Sequence, residues 1–278
     1  MPTETHMGLT EDQKLRYIAL LRAECGSPGI DELTRLVRAH VTRVPFENVS
    51  KLWYWKTLGL AGLPGIDRYL DGIEKYNFGG TCYANNYYFY LLLVSLGYDA
   101  RLCGADMSHP DVHVVAMVNA GNREYIVDGG YAAPFFAPLP RDASGDVVIE
   151  HGNERYVLSP PDARGASRLS LYRDGVLKHG YTAKPGPRRI EEFEPVIAGS
   201  FRPAATFMNA VVVTRFGVDR SIVLHNRTLI ESRGTTTSLE EVGDREGVIA
   251  AIERHFGIPR AISAQSLPDM ERLDDPWA

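Results

Sequence analysis

The sequence predicts an α+β protein: a helical unit first, a β unit next, and a smaller mixed unit of strands and helix to close. Three observations predict it. Apolar residues recur at helical spacing as far as Gly97, the period drops to two from Tyr98 onward, and further strands with a final helix follow a Pro-rich stretch, residues 185–195.

Thr10-Glu11-Asp12-Gln13 has the form of a capping box, ahead of a helix carrying Leu15, Ile18, Ala19 and Arg22. Residues 26–29 break it. A second helix runs from about Asp31 with Leu33, Leu36, Val37 and His40 on one face, and Pro45 ends it by forbidding the helical conformation at Val44. His40 reads as a helix-face residue near that end. Arg43 to Val49 is a rigid turn that sets Glu47 and Asn48 beside Phe46. Loop chemistry explains its Pro and Asn, not a carboxylate among apolar neighbours. Residues 51–77, rich in Trp, Tyr, Leu and Gly, should cover the next helix, with Trp53 and Trp55 at a pocket mouth.

That helix follows Phe78-Gly79-Gly80-Thr81-Cys82. Two glycines permit a sharp turn with positive φ, Thr81 stands at the N-cap, and Cys82 falls in the first turn. Tyr87, Tyr88, Leu91 and Leu92 make the helix apolar nearly all round, so it should be buried. A thiol there feels the positive end of the helix dipole, which favours thiolate. The same position also suits a small core residue, the commonest use of a free cysteine.

Tyr98 to Cys103, Val112 to Val118 and Tyr125 to Asp128 alternate as strands. With Ala120-Gly121 as a two-residue hairpin loop, His113 and Asp128 become direct cross-strand neighbours; a Gly121-Asn122 loop shifts the register by two. Residues 134–184 read as further strands of a barrel or sandwich, and 185–195 as a linker. Ala210 to Arg215, Ser221 to Leu224 and Thr228 to Glu231 are strands. Ser238-Leu239-Glu240-Glu241 then reads as the capping box of a last helix ending near Gly257, and residues 269–278 should be ordered only where they dock.

The 278 residues are 44% hydrophobic and 23% charged with a net charge of −5, which disfavours nucleic acid or an anionic membrane as partner. No apolar run approaches the roughly 20 residues that span a bilayer. Residues 1–10 lack a basic segment and an apolar core, so no signal peptide is expected. Cys25, Cys82 and Cys103 are odd in number and widely spaced, which fits a reduced, cytoplasmic setting. No G-x-S-x-G, Walker A or G-x-G-x-x-G motif occurs. His109-Pro110-Asp111-Val112-His113 with Asp106 has the makings of a metal pair, but no further ligands cluster with it, so no metal is expected. Tyr83, Tyr87, Tyr88, Phe89 and Tyr90 read as core.

Cys82, His113 and Asp128 remain as a coherent set: a thiolate to attack a carbonyl, an imidazole to move protons, and a carboxylate to fix the imidazole's tautomer. Asp128 also suits a plain turn residue before Gly129-Gly130.

In order along the chain, Val44-Pro45-Phe46-Glu47-Asn48-Val49, Gly79-Gly80-Thr81-Cys82 with Asn86, His113, Val127-Asp128 and the strands from Ala210 to Glu231 resemble the arylamine N-acetyltransferase family. The resemblance implies a helical bundle (1–97), a β-barrel (98–190) and an α/β lid (191–278), with a cysteine-protease-like Cys82–His113–Asp128 triad. It implies ping-pong transfer of an acyl group from acyl-CoA, acetyl-CoA in the family, through acyl-Cys82 to a small-molecule amine. Phe46, Tyr131 and Phe207 would meet the substrate, and Gly130 and Ala132 the CoA arm. Phe78 and Ala84 stand where the family has Arg and Glu, and Ala132 where it has Gly. These departures leave three alternatives: an amide synthase of natural-product assembly fed by an acyl carrier protein, a hydrolase, and a non-catalytic binder.

Overall fold

The computed structural model describes residues 8–274. Five helices come first: α1 (Glu11–Leu21), α2 (Ile30–Arg43), α3 (Val49–Leu58), α4 (Ile66–Tyr76) and α5 (Cys82–Ser95). The Thr10/Gln13 capping box is formed at α1, and α2 ends at Val44 in an extended conformation, as Pro45 requires. Trp53 packs into an aromatic cluster with Tyr54 and Tyr76, Trp55 is exposed, and neither lines the two cavities nearest Cys82 and Tyr131.

Eight antiparallel strands follow: β1 (Asp99–Asp106), β2 (His113–Ala120), β3 (Arg123–Val127), β4 (Leu139–Pro140), β5 (Val147–His151), β6 (Glu154–Leu158), β7 (Ser167–Arg173) and β8 (Val176–Pro187). Their order is β4-β3-β2-β1-β8-β7-β6-β5 in a near-closed barrel. Its interior gathers Cys103, Val115, Ile126, Leu139, Tyr156, Leu169 and Tyr181 from almost every strand. The opposite face of β2 (Val114, Ala116, Val118) packs with Phe89 and Leu92 of α5. β2 is therefore buried on both sides, which holds α5 against the barrel wall.

The remaining chain forms a short helix α6 (Glu194–Gly199), the sheet β12-β11-β10-β9 and two helices. These are β9 (Val212–Arg215), β10 (Ser221–His225), β11 (Thr228–Arg233), β12 (Thr236–Glu241), α7 (Arg245–Phe256) and α8 (Arg260–Ser266). Their core (Val213, Leu224, Val248, Ile252, Phe256, Ile262) includes Val49, Tyr54 and Phe78 from the helical part, so the two share packing.

Three sequence expectations need correction. The hairpin register pairs Ala120 with Arg123, so the loop is Gly121-Asn122, with Gly121 left-handed (φ 62°) as its turn demands. Residues 185–187 complete β8 rather than forming linker. Ser238 lies within β12, whose solvent-facing side chains gave it a helix-start composition. The cap of α7 is Asp244, which accepts from the Gly247 N–H, and α8 follows it. In the tail, Asp274 docks by donating its N–H to the Asn209 carbonyl; residues 1–7 and 275–278 lie outside the described residues.

Candidate active site

Cys82 is the first residue of α5, and Thr81 sits at its N-cap without a side-chain capping bond. The two preceding glycines are needed for room, since neither has a positive φ. A Cβ on Gly79 would lie 2.0 Å from the Pro45 carbonyl oxygen, and one on Gly80 would lie 2.8 Å from the Ala84 Cβ. The Gly79–Cys82 loop thus lies flat against the 44–48 turn.

That turn joins three parts of the chain. Glu47 donates its N–H to the Gly80 carbonyl, while Thr214 and Asn48 exchange backbone bonds with Phe46 and Val212. The Glu47 carboxylate, wholly buried, accepts from the Ser50 N–H (2.8 Å) and the Gly79 N–H (3.2 Å). Burial raises its pKa, and these donors oppose that rise. Backbone N–H groups and the Ser50 side chain therefore supply the partners, and Phe78 packs with Trp53, Tyr54 and Tyr76.

His113 begins β2, and Asp128 follows β3. In the observed register Asp128 stands diagonally from His113 on the same face, at a distance side chains can span. His113 Nε2 meets Asp128 Oδ2 at 2.9 Å, both side chains being almost fully buried. The Cys82 thiol donates to the Val112 carbonyl (3.7 Å), one residue before His113, and is close enough to act on the imidazole. Burial alone would lower the His113 pKa; Asp128, then Cys82, outweigh it and push it up to about 10.

Asn86, one turn along α5 from Cys82, had no role in the sequence beyond its motif. Its Nδ2 donates to Asp128 Oδ1 (2.8 Å) and the Val114 carbonyl (2.6 Å), and its Oδ1 accepts from the Gly129 N–H (2.8 Å). Gly130 packs flat on Cys82: an added Cβ would stand 2.9 Å from Cys82 Cα. Tyr131 lies edge-on to His113, ring centroids 5.8 Å apart, and its hydroxyl meets His179 Nδ1 at 3.0 Å. Ala132 is left-handed (φ 62°).

Tyr131, Ala132 and His179 line a cleft of about 260 Å³ between the barrel and β10–β12. A smaller cavity of about 40 Å³ lies behind Gly79–Thr81 and is lined by Lys51 and Ala84. Burial lowers the Lys51 pKa to about 8, against the opposing pull of Cys82, and its ammonium donates to the Ser200 carbonyl and hydroxyl. Phe46 and Phe207 pack edge-to-face at 5.7 Å and line neither cavity. Sequence reasoning missed Lys51, His179 and Tyr181, since nothing local marks contacts made across such long separations.

Residues 29–264 match the N-acetyltransferase family. The pineal gland isozyme of arylamine N-acetyltransferase from Gallus gallus is 30% identical over 116 residues, 39% of this chain; the chain spans 38% of that relative's length. The arylamine N-acetyltransferase structure from Mycobacterium abscessus superposes with a TM-score of 0.79 at 21% identity, covering 98% of this chain and 99% of that one. The Mycobacterium marinum enzyme in complex with CoA gives 0.75 at 22% identity, covering 94% and 99%. By the match over residues 29–264, the chain belongs to the arylamine N-acetyltransferase family.

Proposed function

We propose that this protein transfers an acyl group from a CoA thioester to a small-molecule amine through an acyl-cysteine. The observation that supports it is the 2.9 Å contact between His113 Nε2 and Asp128 Oδ2, with Cys82 among the groups that raise the His113 pKa. Cys82 Sγ, as thiolate, attacks the thioester carbonyl, and the Cys82 N–H, an orphan donor in the first turn of α5, faces the developing oxyanion. The C–S bond to CoA breaks, and the imidazolium of His113 gives its proton to the departing sulfur. An amine then attacks acyl-Cys82, His113 takes the amine proton, and Cys82 leaves as thiolate. Asp128 orients the ring and supports its charge throughout. Acetyl-CoA is the proposed donor. The cleft beside Tyr131, Gly130 and Ala132 suits its pantetheine arm, and the Mycobacterium marinum relative binds CoA. Phe46 and Phe207 are proposed to face the acceptor side.

A second reading concerns the donor alone. Ala132 puts a methyl on the cleft wall, and a donor on an acyl carrier protein would present only its arm there.

Incubation with acetyl-CoA followed by intact mass should show one acetyl group on Cys82, removed by an added arylamine and absent from Cys82→Ala. No adduct with any acyl thioester would overturn the proposal. Labelling by a carrier-bound thioester but not by free acyl-CoA selects the second reading, and release of the acyl group without amine marks a hydrolase.

A further inference from the structure

We propose that the cavity walled by Gly79, Thr81 and Tyr83 is the subsite for the acyl chain, and that Lys51 recognises a terminal carboxylate there, so that the preferred donor is a short dicarboxylic acyl thioester such as malonyl- or succinyl-CoA. The inference rests on the acyl-transfer reading and extends it to the acyl group. Three parts of the substrates meet at the thioester carbonyl: the pantetheine arm, the amine and the acyl chain. The cleft beside Tyr131 and Ala132 suits the arm, and Phe46 and Phe207 are assigned to the acceptor side. The cavity behind Gly79–Thr81 shares no wall residue with that cleft and touches neither phenylalanine, yet both chain neighbours of Cys82 line it. Its volume of about 40 Å³ holds about three waters, or one carboxylate.

Lys51 is a cation that the fold does not neutralise. It stands in the first turn of α3, at the positive end of the helix dipole, and no acidic residue shares that turn. Its ammonium donates to the Ser200 carbonyl (2.8 Å) and hydroxyl (2.7 Å) and lies 4.1 Å from the centre of the Phe201 ring. Among the described residues no carboxylate pairs with it, and none lines the cavity. A desolvated charge without a counter-ion is costly, yet burial lowers the pKa only to about 8, so at pH 7 the group is still largely the ammonium. Cys82 pulls that pKa back up, which places the cation within electrostatic reach of the reacting sulfur.

Ser200 takes two of the three ammonium N–H groups. A carboxylate in the cavity takes the third in a charge-assisted hydrogen bond and supplies the missing counter-charge. Leu63, Pro64 and Phe201 make the neighbouring wall apolar, which suits the methylenes between thioester and carboxylate. The covalent step is the same for any such acyl group. The bond from Cys82 Sγ to the thioester carbon forms, the C–S bond to CoA breaks with His113 protonating the departing sulfur, and the far carboxylate takes no part. Acetyl-CoA, which lacks that carboxylate, stays a donor without the added contact.

The test sets malonyl-CoA against isovaleryl-CoA and succinyl-CoA against 4-methylpentanoyl-CoA, pairs in which a branched end keeps the carboxylate's shape without its charge. The readout is the rate at which each acylates Cys82 in an intact-mass time course. Wild type should favour the charged member of at least one pair by about 10–100-fold, the worth of one charge-assisted hydrogen bond, and Lys51→Met should abolish or reverse that ratio. The wild-type ratio decides by itself should the variant fail to fold. No preference in either pair, with acetyl-CoA still acylating Cys82, overturns the subsite and leaves acyl transfer standing. A preference that survives Lys51→Met overturns the role of Lys51. Loss in the variant of a preference for 4-aminobenzoate over aniline, with the donor ratios unmoved, assigns the cavity to the acceptor and also overturns the proposal. Failure of every thioester to acylate Cys82 defeats the acyl-transfer reading instead, and calorimetric binding of the same pairs to Cys82→Ala then judges the subsite alone.

Discussion

Replacing Asn86 by Ala should separate folding of the site from its chemistry. The side chain is 2% exposed and makes three hydrogen bonds, so truncation orphans the Val114 carbonyl and the Gly129 N–H. It also leaves Asp128 Oδ1 with the Gly130 N–H alone, at 3.1 Å. Two neutral orphans and one charged acceptor would cost about 3–6 kcal/mol, and a water in the vacated space lowers this to about 3 kcal/mol. At about 2 °C per kcal/mol for a chain of this size, Tm should fall by about 6 °C. The effect on acylation should be larger than stability alone explains, because an unanchored Asp128 no longer fixes the tautomer of His113. Loss of that kind of control elsewhere reaches about 10⁴-fold, and about 10²-fold is expected here because the carboxylate itself survives. The assay is a single-turnover mass measurement of acyl-Cys82, at a temperature where both proteins are folded, paired with a melting curve. Wild-type acylation together with an unshifted Tm would refute the reasoning, since a buried bridge to Asp128 cannot be removed without either consequence.

Other substitutions test the surroundings of the site. Gly79→Ala forces a Cβ to within 2.0 Å of the Pro45 carbonyl oxygen and should destabilise by on the order of 3 kcal/mol, read from urea midpoints; a midpoint near wild type would mean the loop does not lie so close. Ala132→Gly removes the left-handed strain of φ 62° and should raise Tm by about 2–4 °C, from about 1–2 kcal/mol, while lowering the KM for a thioester donor if the methyl narrows the cleft. Lys51 has a folded-state pKa lowered from 10.5 to about 8, so the unfolded chain holds that proton more tightly and stability should rise between about pH 8 and pH 10.5. Lys51→Met should flatten that rise, worth up to about 3 kcal/mol, in urea midpoints measured across the window; an equal slope in both proteins would contradict it.

Local rules carried the first half of the chain well. The α1 capping box and the end of α2 depend on residues adjacent in sequence, and both are present. The change of period at Gly97 reflects burial on one face against burial in a sheet, so it was equally legible. Register was not. Ala120-Gly121 and Gly121-Asn122 are both turn-forming pairs, and the shift by two between them leaves every side chain on its own face, so alternation cannot choose. Ser238 was misread because an exposed edge strand and the first turn of a helix select the same polar residues; only pairing with β11 distinguishes them. Glu47 was unreadable for another reason: most of its partners are backbone N–H groups, which every residue but proline carries, beside the Ser50 side chain. Tyr181 reaches the site across the barrel, from 68 positions beyond His113, and no local pattern announces such a contact.

The junction at residues 44–48 has a consequence for when the protein becomes competent as it is made. Phe46 bonds to Thr214 across 168 positions, and Glu47 in turn bonds to the Cys82 loop at Gly80. Cys82, His113 and Asp128 all leave the ribosome well before β9 does. The loop that presents the thiol acquires its last support only when β9 arrives, so a chain stalled before residue 212 should carry all three side chains and still lack a fixed nucleophile.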